Sequence, residues 1–547
     1  MFWHPWSTAA FQRAHASGRP VLLSLVTGWS AACSEMEANV FAAPAVAAAI
    51  EAYAVPVRVD ADVRPDIAER YGLGGWPTTV WLTPDGEMLS GGTYIDAEVL
   101  IARLREVAEK FARDRVALAQ HATAARTQRR APAARLTASE ITLDDIRERL
   151  LTEYDEEHAG FGREEKFPLA GPIRFALQTG DPDLLHIAVR TLDRIAESEI
   201  SDHKTGAFYR SADRTWTNPD RAILLDVQAD MISVYLEAGE ALGVDAYRER
   251  ALAALEFVHR QLRTRDGAYH HYRGGPVLTD SNARLMRCFV RASQWLGDNR
   301  WILAAVDIAE HLVVKVYARA SGVAHCLTTS ATPRPTDDRA AEGPATPSVR
   351  PGGMAGEVAT SVRPHGLSPR PVDDRAGEGL ADPHTIRPGG IAGEVATSVR
   401  PHLQQRAERP SVFGLSADSI LMAAALLDLG EAVGQNVYVE LAEELTRSCL
   451  RRFWDPTAGA LVDRLKNAAG AGDVGLLGES LRLFGINVDA ARLLHRLAAR
   501  TDDQQLAARA QALRHYVGVT AWNEGILSSD YGLLLLEGLV VHSDSGG

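Results

Sequence analysis

The residues able to do chemistry fall into two sets. The first is a single thiol. Cys33 lies in Gly28-Trp29-Ser30-Ala31-Ala32-Cys33-Ser34, between an apolar run that reads as a strand and a run that reads as a helix. A helix N-terminus stabilises a thiolate, and dithiol exchange needs such an attacking thiolate together with a second thiol that resolves the mixed disulfide. Three positions earlier stands Ser30, whose hydroxyl stays protonated near neutral pH. Cys33 therefore reads as a partly buried structural cysteine, with a monothiol redox or adduct-forming site as the alternative. Cys288, Cys326 and Cys449 are scattered, so neither a disulfide scaffold nor a zinc site is expected. The second set is acidic. Asp226, Asp280 and Asp418 each stand at or next to the start of a predicted helix, where a carboxylate can act as acid or base in a cleft or can cap free backbone N–H groups. His270-His271 is the one adjacent histidine pair. It lacks His-x-x-x-His spacing and an acidic partner at ligand spacing, so no metal site and no cofactor is expected.

The elements that would hold the thiol form an α/β unit. Val21–Val26 is short, continuously apolar and bounded by Gly18 and Gly28, the pattern of a buried strand. Residues 6–17 carry a helical stripe of Ala9, Ala10, Phe11 and Ala14. Further strands are predicted at 54–60 and 79–82, a hairpin return at 86–94 and a closing helix at 96–113. This gives a domain at 1–113, a usual domain size. Residues 114–136 shift to Ala and Arg, with Arg129-Arg130-Ala131-Pro132 at the centre, and read as a solvated linker.

The acidic residues belong to a different architecture. Over 137–547 strand signals are rare, and pairs of amphipathic helices are separated by a recurring turn built on Gly160, Gly206, Gly267, Gly322 and Gly459. Helical hairpins at intervals of roughly fifty to seventy residues point to a closed toroid rather than an open solenoid. Residues 418–429 are apolar on nearly every side, as an inner helix of such a ring would be. The pattern breaks at 328–410, which is rich in Pro, Gly, Arg and Asp and contains a near-duplicate, RPGGMAGEVATSVRPH at 350–365 and RPGGIAGEVATSVRPH at 387–402. Two copies too polar to bury a core read as a duplicated insertion.

Composition excludes several function classes. At 547 residues the chain is too long for one core. A net charge of -13 and the lack of a Lys/Arg stripe argue against nucleic acid as the main partner. No apolar segment has membrane-spanning length, and the first residues lack a signal peptide's basic and apolar regions, so a cytoplasmic protein is expected.

The chain resembles the spermatogenesis-associated, thioredoxin-domain family, in which a thioredoxin-like domain precedes an (α/α) toroid similar to six-hairpin glycosidases and sugar epimerases. The resemblance rests on Arg19-Pro20-Val21-Leu22-Leu23-Ser24, Val57-Arg58-Val59-Asp60, Gly75-Trp76-Pro77, Thr83-Pro84-Asp85-Gly86, Lys166-Phe167-Pro168, Thr279-Asp280-Ser281-Asn282 and Phe453-Trp454-Asp455, in order along nearly the whole chain. It implies a cis Pro77 facing the Ser30–Cys33 turn. It also exposes departures. Where members of the family typically read Cys-His-Trp-Cys-His, this chain has Ser30-Ala31-Ala32-Cys33-Ser34, and a family Trp-Asn pair is Ser281-Asn282. The resemblance places Asp226, Asp280, Asn282 and Asp418 at a toroid cleft. Glu165-Lys166 and Trp522-Asn523-Glu524 are further rim candidates, and Phe161, Phe208, Trp216, Tyr269 and Tyr272 either stack on a sugar or pack inward after the turn glycines.

Three readings of function follow. In the first, a thioredoxin scaffold without its redox pair adjoins a toroid that binds a carbohydrate-like small molecule. In the second, Asp226, Asp280 or Asp418 serve as acid and base on a sugar-like substrate, which requires two carboxyl groups across one cleft. In the third, Cys33 beside Pro77 is a monothiol oxidoreductase site.

Overall fold

A computed structural model of the chain describes residues 2–114, 117, 118, 120, 139–329, 408–466 and 472–543. Most of the expected linker at 114–136 and of the expected insertion at 328–410, with its near-duplicate, lies outside the described residues. In the N-terminal part the apolar run forms strand β1 (Val21–Val26), joined by β2 (Val55–Asp60), β3 (Thr78–Leu82) and β4 (Met88–Gly92) in the sheet order β2-β1-β3-β4. β1 and β2 are parallel, while β3 runs antiparallel to β1 and β4 antiparallel to β3. Helix α1 (Thr8–Ser17) is capped by Ser7 and leads into the sheet. α2 (Ala31–Met36) follows the turn after β1, and α3 (Pro44–Tyr53), α4 (Pro65–Tyr71) and α5 (Ala97–Arg113) complete the unit. The sequence pattern anticipates β1 to β4, α1 and α5, and the Trp76–Pro77 peptide is cis as the resemblance implies.

The rest is a closed ring. Six inner helices, α7 (Ala170–Thr179), α9 (Leu225–Leu242), α11 (Thr279–Leu296), α13 (Ser416–Val433), α15 (Phe484–Thr501) and α17 (Ser529–Ser543), each touch the next, and α17 returns to α7. The outer layer is α6 (Leu143–Glu153), α8 (Pro182–Glu197), α10 (Asp245–Gln261), α12 (Asn299–His311), α14 (Asn436–Phe453) and α16 (Gln504–Thr520), each packed on an inner partner. α13 is the helix read as apolar all round, and Ile420 to Leu427 are buried without a break. Among the described residues no helix is long and apolar enough to cross a membrane.

The turn glycines work as the spacing implies. All five have φ between 67° and 93°, a region that side chains with a Cβ rarely enter. A side-chain amide then fixes the residue two positions on. Gln228 Nε2 donates to the Phe208 carbonyl and Gln228 Oε1 accepts from Phe208 N–H. Asn282 does the same for Tyr269, and Asn487 for Leu461. Each amide occupies the fourth residue of an inner helix, so the ring is tied by a repeated clamp from helix to preceding turn.

The α/β unit and the ring share a buried ionic network. Arg70 of α4 meets Asp463 at 2.7 Å and donates to the Leu476 carbonyl, while Arg464 lies 3.2 Å from Asp66 and 2.8 Å from Asp473. Val474, Leu476 and Leu477 complete the core beneath β1 to β3, and the Tyr71 hydroxyl accepts from Leu476 N–H while donating to the Gly86 carbonyl.

Asn282→Ala strips the partner from Tyr269 N–H and from two carbonyls in a fully buried place, and is expected to cost about 2–4 kcal/mol. Urea unfolding followed by circular dichroism checks this, and an unchanged midpoint would refute the clamp.

Candidate functional site

The thiol lies at the first turn of α2. Ser30 is the N-cap, and its Oγ accepts from Cys33 N–H at 3.3 Å. The hydroxyl thus satisfies one of the free N–H groups at the helix start. Cys33 is 7% exposed, and all four cysteines are free and buried. This turn abuts the ring. A Cβ at Gly28 would collide with the Tyr272 hydroxyl. Trp29 Nε1–H donates to Asp62 Oδ1, and the Arg210 guanidinium sits 5.2 Å from the Trp29 ring centre.

The three sequence-singled aspartates are at inner-helix starts, but none is the N-cap. Leu224, Leu278 and Leu415 hold those positions. Asp226 and Asp280 are second helical residues, each accepting from the next backbone N–H at 2.8 and 2.7 Å. Asp418 is the third residue of α13 and fully buried, with Oδ1 2.9 Å from His325 Nδ1. His325 comes from the strand Gly322–Thr329, and its Nε2 donates to the Asp62 carbonyl at 2.9 Å. Asp280, His325 and Asp418 bring donor atoms within 4.8 Å of one another. His271 is buried nearby, 3.0 Å from Ser281 Oγ. The region is dense in negative charge. Burial, assisted by Asp60 and Asp226 and opposed by His271, pushes Asp62 up to about 6. Burial works against a charged His325, yet Asp418 and Asp280 overcome it and raise the imidazole above its usual range.

Inside the ring lies a cavity of about 470 Å³. Asp226, Asp230, Arg284, Asp489, Arg492 and Asp530 line it. Much of the wall charge is internally paired, with Glu237 held by Arg174 and Arg291 and Glu537 by Arg492. Arg284 is different. Asp226, Asp230, Asp280 and Asp489 surround it electrostatically, but no hydrogen bond or ion pair within 4.0 Å joins it to a described residue. Asp530 is pushed up to about 6 by burial, reinforced by the neighbouring Asp489 carboxylate.

Residues 1–129 match the family model Thioredox_DsbH, described as a protein of unknown function, DUF255. The N-terminal unit is a thioredoxin-like domain. The chain is 28% identical over 304 residues to human spermatogenesis-associated protein 20, a match covering 49% of this chain and 38% of that protein. An uncharacterised protein of Caenorhabditis elegans is 28% identical over 258 residues, 43% of this chain and 35% of its own. The chain thus spans well under half the length of these relatives. Among solved structures, cellobiose 2-epimerase of Bacillus thermoamylovorans aligns with a TM-score of 0.47 at 10% identity, covering 69% of this chain and 86% of its own. An α-mannanase of Bacteroides thetaiotaomicron aligns with a TM-score of 0.43 at 8% identity, covering 73% and 96%.

Of the residues singled out from sequence, the structure brings Asp280 and Asp418 together under the thioredoxin-like domain, and places Asp226 on the cavity wall. Asn282 is corrected: it is 0% exposed and clamps Tyr269, so it is no cleft residue. Phe208, Trp216 and Tyr269 are fully buried and pack inward rather than offering a sugar platform. Lys166 is also buried, 3.0 Å from Asp155, and not at the rim. Sequence reasoning missed His325, Asp62, Arg284, Asp489 and Asp530. Asp530 had a signal, because it repeats the second-residue position of Asp226 and Asp280 on a third inner helix.

A carboxyl group whose folded pKa lies above its unfolded value weakens the fold as pH rises through that interval, here from about 4 to about 6. Asp489 and Arg492 of α15, Arg174 of α7 and Asp230 of α9 set this field. Asp530→Asn is therefore expected to stabilise the protein by about 1–2 kcal/mol at pH 8 and to leave stability unchanged at pH 4. Thermal melts across this range test the sign, and equal differences at both pH values would overturn it.

Proposed function

We propose that the protein binds a small, neutral, polyhydroxylated ligand, carbohydrate-like in chemistry, inside the helical ring, and that its thioredoxin-like domain is a redox-inactive scaffold. The observation that carries this reading is Arg284, which reaches the cavity with its donors unmatched while carboxylates stand around it beyond contact distance. Six arginines and six Asp or Glu residues line the described cavity. That balance favours neither an anion nor a cation. It suits hydroxyl groups, which donate to carboxylates and accept from guanidinium groups. For the thioredoxin-like domain, Ser30 in place of an attacking thiol and the burial of Cys33 both support the loss of dithiol exchange.

A second reading is favoured by one observation, the raised Asp530 beside Asp489. Two neighbouring carboxyl groups in one cavity, one of them more readily protonated than usual, are the equipment of acid–base catalysis on a glycosidic bond or a sugar carbon. In that case Asp530→Asn would lower kcat by about 100-fold or more with little change in KM, read by NMR of the sugar.

Titration with D-mannose, D-glucose, cellobiose and mannobiose, against phosphate and citrate as controls, tests the binding reading by calorimetry and thermal shift. Saturable binding of at least one neutral sugar is expected, with a rise of about 2–4 °C at a hundredfold excess over Kd, lost in Arg284→Met. No binding by any sugar, or the same shift in Arg284→Met, would sink it. An insulin-reduction assay is expected to show no turnover, and iodoacetamide is expected to label Cys33 only on unfolding. Rapid native labelling with turnover would restore the oxidoreductase reading.

A further inference from the structure

Several buried or half-buried carboxylates among the described residues are matched by a fixed cation. Asp66 has Arg64 and Arg464, Asp463 has Arg70, Asp428 has Arg287 and Arg496, and Asp155 has Lys166 and Arg214. Asp418 is not among them. It is 0% exposed, its ion-pair partner is His325 rather than an Arg or Lys, and its Oδ2 has no hydrogen-bond partner among the described residues. An unpaired buried carboxylate is costly unless a cation accompanies it. The side chains around it are also arranged in an unusual way. His325 Nε2 donates to the Asp62 carbonyl, which turns Nδ1 toward Asp418 Oδ1 at 2.9 Å, an ion-pair distance. Either a proton or a metal ion on Nδ1 balances the carboxylate there.

We propose that Asp280, His325 and Asp418 form a binding site for one divalent transition-metal cation, with the Asp62 carbonyl as the outer partner that orients the histidine. One imidazole nitrogen and two carboxylates are a donor set for zinc, manganese or ferrous iron rather than for a soft or a purely oxygen-seeking ion. The carbonyl bond to the far nitrogen of a ligating histidine is the usual device for fixing its tautomer and orientation. Asp280 accepts from Ser281 N–H through Oδ1, which leaves its second oxygen for the ion. It is also the most accessible of the three. The ligands come from two inner helices and a strand, and the outer partner from the turn after β2. Bound metal would therefore tie the thioredoxin-like domain to the ring as well as hold a Lewis acid beside it. This inference does not rest on the sugar-binding reading.

The test uses the full chain without a histidine tag, stripped with EDTA and dialysed separately against Zn²⁺, Mn²⁺ and Co²⁺, with bound metal counted by plasma mass spectrometry. About one equivalent of at least one of these ions is expected, with ligand-field bands in the cobalt form. His325→Gln is expected to abolish binding, and Asp280→Asn to weaken it by about 10–100-fold. Asp280 makes no bond to His325 and is partly exposed, so Asp280→Asn keeps the test open if His325→Gln fails to fold, as judged by circular dichroism. No stoichiometric binding by the stripped wild type, or equal binding by folded Asp280→Asn, would overturn the site. A nitrogen-15 spectrum of the stripped protein showing both His325 nitrogens protonated and unmoved by added metal would assign the central positive charge to a proton instead.

Discussion

Four charged side chains, Arg70, Asp463, Arg464 and Asp66, meet where almost no water reaches them. Taking such groups out of water is expensive, and removal of one partner strands the others, so the arrangement is stable only when all are present and aligned. Because two come from α4 and two from the segment between α14 and α15, the requirement locks the thioredoxin-like domain in one orientation on the ring. That orientation carries the end of β2 over the inner-helix N-termini and sets the Asp62 carbonyl against His325. The chemistry at the mouth is thus a downstream result of an ionic lock elsewhere.

The ring supplies the other half of the geometry. The second residues of four inner helices, Gly171, Asp226, Gly485 and Asp530, line the cavity. The partial positive charge of a helix N-terminus favours carboxylates there, which accounts for aspartate at this position in α9, α11 and α17. One turn deeper, Asp230, Arg284 and Asp489 form the next layer of the wall. A chain that repeats one hairpin thereby repeats one side-chain position, and a cavity with layered polar rings follows without any long-range design.

Much of this was legible in the sequence and some was not, for physical reasons. β1 declared itself by apolar continuity, and the five turn glycines by their spacing, because both signals are local. Burial of Phe208 and Tyr269 followed from the same turns. Asn282 misled, because its neighbour Asp280 and its place at a helix start looked like a cleft; the informative feature was an amide at the fourth helical residue, shared with Gln228 and Asn487. The His325–Asp418 pair could not be read, since its members lie 93 residues apart on either side of a segment of unrelated composition. Asp62 was more remote still, on the other domain. Asp280, His325 and Asp418 have no close spacing in the sequence, and tertiary structure alone brings them within 4.8 Å of one another.

The strand that carries His325 also borders the duplicated segment. Gly322–Thr329 pairs antiparallel with Glu408–Phe413, with Thr329 opposite Glu408. The two ends of everything between them are therefore pinned side by side by a backbone ladder. A sequence could be copied in tandem at this one place, as 350–365 and 387–402 record, without shifting the histidine a few residues away. The hairpin is a permissive gateway, where the gene can lengthen while the ring and its mouth keep their shape.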